Sequence, residues 1–271
     1  MAKKKRTDSE GKGKAPTETM NRQLWTIIIG IAAFFTLMYS SKMIFPSRAS
    51  KLDMGPIIEN DDIFIVSSWV WDKRSKTMEI IYAIDGVYSI ADNISSRIGI
   101  TTNSGEIRHD GNLVYASEDT VVMRYNAIES NGTEFEVRLT VGNSSPHFFN
   151  NKNDISMIDE LTDRSGSEYR ILSLTTILNY YQCEIDNRNE EIKQNEEIIA
   201  QKEGDIESLK QNTANKTQSQ IVSIENDIKN LNNEINNIQQ SINQLFTEIE
   251  EFEERAENLR KEIGEINGNN D

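Results

Sequence analysis

Few side chains in this sequence could take part in catalysis or bind a metal ion, and their spacing does not suit either role. There is one cysteine, Cys183, and there are two histidines, His109 and His147. A single thiol cannot form an intrachain disulfide or a cysteine-based zinc site, and two distant imidazoles do not make a histidine-rich metal site. His109 directly precedes Asp110, but both residues lie at a predicted turn. We therefore interpret them as solvated turn residues and not as an acid–base pair.

The short motifs of common enzymes are missing from the sequence. It has no glycine-rich phosphate loop, no His-Glu-x-x-His zinc motif and no Gly-x-Ser-x-Gly nucleophile turn. Asp61 and Asp62 are adjacent, whereas a hard cation needs several spaced oxygen ligands. We therefore predict that the protein is not an enzyme, that it has no catalytic or metal-ligating residues, and that it binds no cofactor.

One aromatic pair could bind a ligand. Trp69 and Trp71 are two residues apart, so they lie on the same face of a predicted strand. They could form a platform for a sugar or a peptide, or they could fill the core of a β domain, because large aromatic side chains suit both places. The platform supports an alternative function, a surface ligand-binding protein in which the β domain is the binding module and the helical region a stalk.

An apolar segment near the N-terminus predicts a membrane helix. Residues 24–39 carry no charge, and the apolar run continues to Phe45, which gives about the twenty residues needed to cross a bilayer. More Lys and Arg precede the segment than closely follow it, and this bias places residues 1–22, a basic disordered tail, in the cytoplasm. We predict a signal-anchor helix at residues 23–45. A cleaved signal peptide with a processing site at residues 47–49 is the alternative.

The charge distribution agrees with this topology. The net charge is −15, but the charges are unevenly distributed. Residues 1–50 contain nine Lys or Arg and three Asp or Glu, whereas residues 184–271 contain nine Lys or Arg and 21 Asp or Glu. The basic run at residues 3–6 precedes the apolar segment, so we interpret it as a topology and lipid signal and predict no nucleic-acid partner. Without disulfides, a chain outside the cytoplasm suits a bacterial envelope. We predict a single-pass cell-membrane protein whose bulk is extracytoplasmic and whose partners include the lipid bilayer.

A β domain is predicted after a linker at residues 46–57. Apolar residues alternate with other residues over positions 78–84 and 135–141. The dipeptide Asn131-Gly132 precedes the second run and suits the positive φ of a tight hairpin turn. About five to seven short strands in residues 58–145 predict a small antiparallel β-sandwich or open barrel.

A heptad pattern dominates the C-terminal third of the chain. Apolar side chains recur at alternating intervals of three and four residues, which is the pattern of a coiled-coil seam. We predict that this seam is the site at which partners or other copies bind. Its residues are Ile221, Ile224, Ile228, Leu231, Ile235, Ile238, Ile242, Leu245, Ile249, Phe252, Leu259 and Ile263.

The preceding segment has a weaker heptad pattern, because Arg188, Asn195 and Lys202 occupy seam positions. We predict one helix at residues 167–211 and a second at residues 217–267. They form either an antiparallel hairpin, which we favour because their lengths match, or a continuous helix that pairs in parallel with other copies. The heptad residue types leave the oligomer number open.

Together these features predict a membrane-anchored, multi-module fold class. Its modules are one transmembrane helix, a small antiparallel β domain, a linker at residues 146–166 and a long C-terminal helical coiled coil. The predicted function is that of a non-enzymatic scaffold or interaction subunit of a cell-envelope assembly, of the secretion, conjugation or division type. The coiled coil would bind other envelope proteins or other copies of the chain.

Overall fold

The structure, a computed structural model, describes residues 55–86, 93–129, 131–211, 213 and 216–268. The predicted cytoplasmic tail and membrane helix lie outside these ranges. Of the helices that the ranges contain, neither is long and apolar enough to cross a membrane.

Within the described ranges, ten strands form two sheets. They are β1 (Ile57–Glu59), β2 (Asp62–Asp72), β3 (Thr77–Asp85), β4 (Ile94–Thr102), β5 (Gly105–Asp110), β6 (Asn112–Ser117), β7 (Thr120–Tyr125), β8 (Glu134–Val141), β9 (His147–Asn151) and β10 (Ser156–Ile158). The six-stranded sheet has the order β1–β2–β3–β7–β6, and β10 also pairs with β2. The four-stranded sheet has the order β5–β4–β8–β9. These pairs are antiparallel except for β10 with β2.

The two sheets pack face to face over one apolar core. In β8, Phe135, Val137 and Leu139 are buried in this core, and the polar residues between them are exposed or partly exposed. Trp71 of β2 meets the Phe135 ring edge-on, with 6.0 Å between the ring centroids. The alternation of residue types along β8 therefore follows the pleat of the strand, with one face in the core and one in solvent.

Two long helices follow the sandwich. Helix α1 (Gly166–Gln211) begins at a capping box, in which Ser165 Oγ accepts the N–H of Glu168 (3.2 Å) and the Glu168 carboxylate accepts the N–H of Ser165 (2.7 Å). Helix α2 (Gln218–Gly268) begins after Thr217. At 1.5 Å per residue, the helices are about 69 and 76 Å long.

The two helices pack against each other and run in opposite directions. Arg188 in α1 pairs with Glu248 near the end of α2, whereas Lys202, later in α1, pairs with Glu234, earlier in α2. Between them lies an apolar cluster that includes Ile192. The helices are therefore an antiparallel pair within one chain.

Part of this helical pair covers the outer face of the six-stranded sheet. Ile81, Ala83 and Val122 lie on that face, and each is completely buried (0% exposed). They pack against the first part of α1, residues 169–181, and against Ala256 of α2. A sheet that is apolar on both faces needs a cover on each face, and the helices supply the second cover.

Our predicted fold class is therefore wrong. We expected separate modules on a membrane anchor, but the structure shows two sheets and two helices in one compact unit, Lys51–Asp271, and the described residues contain no membrane-spanning helix. The error arose in residues 78–84, where we followed only the alternating core positions. Ile81 and Ala83 between them are also apolar, and they indicate a cover on the other face. The β-rich domain and the long C-terminal helix are confirmed.

Candidate interaction site

The predicted seam of α2 faces α1 of the same chain. Four of its members, Ile235, Ile242, Leu245 and Ile249, are buried. The others are partly buried: Ile221, Ile224, Ile228, Leu231, Ile238, Phe252, Leu259 and Ile263. The contact that the seam makes in this structure is thus intramolecular, and it holds the two helices together.

Two of the three polar residues in the α1 seam, Arg188 and Lys202, contact acidic residues of α2. Arg188 Nε lies 2.9 Å from Glu248 Oε2, and the Arg188 guanidinium lies 4.9 Å from the centroid of the Phe252 ring. Lys202 forms a corresponding ion pair with Glu234. Arg188 and Lys202 are two heptads apart, as are Glu234 and Glu248, so both pairs form in one register. This matching spacing was the sequence signal for the pairing, and we missed it.

Glu79 in β3 joins α1 to the six-stranded sheet. Its side chain is fully buried, and both of its oxygens accept hydrogen bonds. Arg124 Nε (2.8 Å) and the Tyr169 hydroxyl (2.9 Å) donate to Oε2, and Arg164 Nη1 (3.2 Å) donates to Oε1. Burial and the bond to Glu79 raise the pKa of Tyr169, so its hydroxyl remains a donor. Arg124 also pairs with Asp163, in the segment that leads into α1 (2.7 Å).

Arg170 makes a second connection between the helices and the sandwich. Its Nε donates to Asp119 Oδ2 (2.7 Å) in the turn between β6 and β7, and its Nη2 contacts Glu262 of α2. Burial opposes the charge on Arg170, but the bond to Asp119 raises its pKa, so the guanidinium stays charged. One side chain therefore joins α1, α2 and a β-turn.

Tyr181 marks the last contact of α1 with the sheet. Its hydroxyl donates to Asp85 at the end of β3 and accepts a hydrogen bond from Arg255 Nη1 of α2 (3.2 Å). Burial and the bond to Asp85 raise the pKa of Tyr181. Its ring also packs with Ile65 of β2 and Ala256 of α2 in an apolar cluster.

Beyond Tyr181, the contacts of the two helices with described residues are contacts with each other. We call residues 182–211 of α1 and residues 218–251 of α2 the arm. Thirty residues of α1 at 1.5 Å per residue give the arm a length of about 45 Å. Apart from the seam, its positions are mostly exposed Asn, Gln, Glu and Lys. The arm therefore presents a polar, predominantly acidic surface away from the sandwich.

The two tryptophans proposed as a ligand platform lie inside the sandwich. Trp69 is 5% exposed and Trp71 is 1% exposed. The Trp69 indole N–H donates to Met78 Sδ (2.9 Å). Their rings fill the core, and neither presents a face on which a sugar or peptide could stack in this structure.

The remaining chemically active residues lie apart from one another. His109 is in β5 opposite Ile98, not in a turn, and His147 in β9 lies 2.9 Å from Glu136. Asp61 is in the tight turn between β1 and β2, with φ of 67°. In the part of the chain that the structure describes, no group of three or more His, Cys, Asp or Glu side chains could hold a metal ion.

No protein-family model and no curated protein matches this sequence. The arm, its seam and the polar contacts at its base are accordingly interpreted from their geometry alone.

Proposed function

We propose that this chain is a non-enzymatic scaffold or interaction subunit whose helical arm binds other proteins. The observation that carries the proposal is the continuation of both helices for about 45 Å beyond their last contact with the sheet. The sandwich is already covered by residues 169–181 of α1. The arm adds a long exposed surface that the sandwich does not need for its own core.

The base of the arm supports this proposal because it is held by several independent contacts. Glu79, Asp119 and Asp85 each accept a hydrogen bond from α1, at Tyr169, Arg170 and Tyr181. Apolar contacts lie between these polar ones. A base fixed at three points would hold the arm in a defined direction, which is what a scaffold needs to position a partner.

The surface of the arm determines the kind of contact we expect. Carboxylates outnumber basic groups along it, and exposed large apolar residues are scattered, as at Ile198, Val222 and Phe246. Such a surface suits polar contacts with proteins that carry basic groups, and these contacts should weaken as salt is added. The predicted place of the assembly, at the cell envelope, rests on residues outside the described ranges and stays a prediction.

Site-specific photo-cross-linking in the native cells tests the proposal. A photoreactive amino acid is placed at Glu203 or Val222, both exposed on the arm, or at Thr101, an exposed residue of β4 that serves as the matched control. We expect discrete protein adducts from the two arm positions and none from Thr101. Adducts from Thr101 alone, or from no position, would contradict the proposal.

A further inference from the structure

The outer face of the four-stranded sheet carries a cleft lined by charged side chains. In β4, β5 and β8 every second residue points away from the core, and most of these residues are polar. The cleft has a volume of about 380 Å³, and its lining includes three arginines and three carboxylates. Sites for small molecules have volumes of roughly 300–1,000 Å³. The cleft is therefore large enough for a small polar ligand.

The cleft exists because Gly99 has no side chain. Gly99 of β4 lies opposite Arg108 of β5 on one side and opposite Glu136 of β8 on the other. A Cβ atom at position 99 would come within 2.7 Å of Glu106 Oε1. The floor of the cleft is thus the backbone of β4, and its walls are the longer charged side chains of the neighbouring strands.

Two arginines in the cleft wall lie directly opposite each other. Arg97 of β4 and Arg138 of β8 are partners in the antiparallel register, so both side chains project from the same face of the sheet. Like charges at directly opposed positions destabilise a sheet. Arg97 is paired with Asp110 (2.8 Å), whereas Arg138 forms no ion pair with any residue that the structure describes. The two arginines therefore carry one positive charge that is not compensated.

The other two carboxylates of the cleft already have basic partners. Glu106 accepts two hydrogen bonds from Arg108, at 2.8 and 3.2 Å. Glu136 Oε1 lies 2.9 Å from His147 Nδ1. These contacts hold both carboxylates in place, and neither carboxylate is paired with Arg138. The uncompensated charge is thus available to a ligand.

We propose that the cleft binds a tetrahedral oxyanion, the phosphate or sulfate group of a small ligand, between Arg97 and Arg138. Guanidinium groups present planar sets of N–H donors that match the oxygens of such a group. Ser95 and Thr140 are the next pair in the register of β4 and β8, and their hydroxyls add donors on the same face. These donors outnumber the two oxygens of a carboxylate, so a tetrahedral group suits the site better.

The charges of the cleft also set the strength of binding. A bound anion offsets the repulsion between the two arginines, whereas the three carboxylates of the lining oppose it. We therefore expect a dissociation constant on the order of 1 mM. This inference goes beyond the proposed function, since it assigns a ligand to the sandwich and not to the arm.

An NMR titration of the full-length chain tests the site. The chain carries isotopically labelled arginine, and detergent is present because of the apolar run at residues 24–45. Inorganic phosphate, inorganic sulfate, methyl phosphate or acetate is added at constant ionic strength. We expect the Nε–Hε signals of Arg97 and Arg138 to shift together and to saturate with phosphate and sulfate. Binding of methyl phosphate as well supports a phosphate group within a larger ligand, and its failure to bind supports the free ion.

A matched pair of variants separates the site from a general change of surface charge. Arg138→Gln removes the uncompensated charge and should raise the dissociation constant for phosphate roughly tenfold or more. Arg74→Gln removes the same charge from an exposed position in the β2–β3 turn and should change this constant less than about twofold. Circular dichroism and thermal unfolding of each variant show whether it is folded.

Four results would overturn the site. The first is the absence of a saturable shift at Arg97 and Arg138 with phosphate and sulfate. The second is unchanged phosphate binding in a folded Arg138→Gln variant, and the third is an equal loss of binding in Arg74→Gln. The fourth is acetate binding as tight as that of phosphate. None of them affects the cross-linking expected from the arm, which is measured at other residues.

Discussion

The sandwich and the arm are stabilised in different ways. In the sandwich, core residues such as Ile80, Ile98 and Val137 come from strands of two sheets and are completely buried. In the arm, each seam residue packs against one neighbouring helix, and Ile242 remains 9% exposed even at the centre of the seam. A residue with few buried neighbours loses less when its helix opens. We therefore expect the arm to open locally while the sandwich stays folded.

Polar groups differ between the two regions as well. At the base, Glu79 is fully buried and each of its oxygens is bonded, so removal of the carboxylate leaves the buried Tyr169 hydroxyl and two partly exposed guanidinium groups without this acceptor. In the arm, Arg188 and Glu248 are partly exposed, and water can replace either partner. We therefore expect the ion pairs of Glu79 to contribute more to stability than the ion pair of the arm.

The largest effect is expected at the base. Glu79→Ala should lower the free energy of unfolding by about 3–5 kcal/mol, because it leaves two guanidinium groups and a hydroxyl without their buried acceptor. The measurement is denaturant unfolding followed by tryptophan fluorescence. Glu118→Ala, at an exposed carboxylate in the β6–β7 turn, is the control and should change the value by less than about 0.5 kcal/mol. Similar changes in both variants would show that Glu79 does not hold the helices to the sheet.

The next largest effect is expected in the seam. Ile242→Asp puts a charge between the arm helices and should cost about 2–4 kcal/mol of local stability. Hydrogen exchange should then be fast in residues 185–211 and 218–249 and unchanged in β3, β7 and β8. Asn243→Asp adds the same charge at the exposed neighbouring position and should leave exchange in the arm unchanged. Faster exchange in the β strands of Ile242→Asp would mean that arm and sandwich unfold as one unit.

A smaller effect is expected from the ion pairs of the arm. Arg188→Glu should weaken the helix pair by about 0.5–1 kcal/mol, since the pair is partly exposed and screened by solvent. The double variant Arg188→Glu, Glu248→Arg should recover part of this loss because the register is kept, whereas the contacts of Arg188 with Phe252 and Glu184 are not restored. The measurement is again hydrogen exchange in the arm. Failure of the second substitution to restore protection would argue against the register described above.

The smallest effect per side chain is expected from alkaline pH, and it should be confined to the sandwich and the base of the arm. Burial raises the pKa of Tyr125 to about 12 and that of Tyr82 well above its ordinary value, whereas no tyrosine follows Tyr181 in the chain. The stability that these two tyrosines contribute is complete below the unfolded pKa near 10 and is lost as pH rises through the folded value. The loss should be about 0.4 kcal/mol per tyrosine at pH 10.

Denaturant unfolding at pH 8, 9 and 10, with phenolate absorbance measured on the folded protein, tests this expectation. Tyr39 and Tyr88, which lie outside the described ranges, are replaced by Phe in every sample so that they do not contribute to the absorbance. A folded protein in which all tyrosines ionise with a midpoint near pH 10 would contradict the buried network of Tyr82 and Tyr125.

Gly132 shows where a local sequence pattern was insufficient to predict the structural role of a residue. Asn131-Gly132 suggested a tight hairpin turn with positive φ, but a side chain at Gly132 would instead approach Ile100 Cγ2 to 2.5 Å. Ala127, earlier in this connection, has a positive φ of 60°. Glycine is thus required at position 132 by the packing of β4 against the chain, and no local pattern reports a neighbour that is 32 residues away.

The sequence by itself determined the features that depend on regular spacing. The intervals of three and four residues from Ile221 onward place apolar side chains on one stripe of α2, and the alternation in β8 places Phe135, Val137 and Leu139 on one face, because both periods are set by backbone geometry. Only the tertiary structure decided what those surfaces face. In the tertiary structure, α1 lies over the six-stranded sheet and β6 lies at an edge of it. Glu79, Arg124 and Tyr169, which are distant in the sequence, form one cluster. These outcomes depend on contacts between residues that are distant in the chain, which no local period encodes.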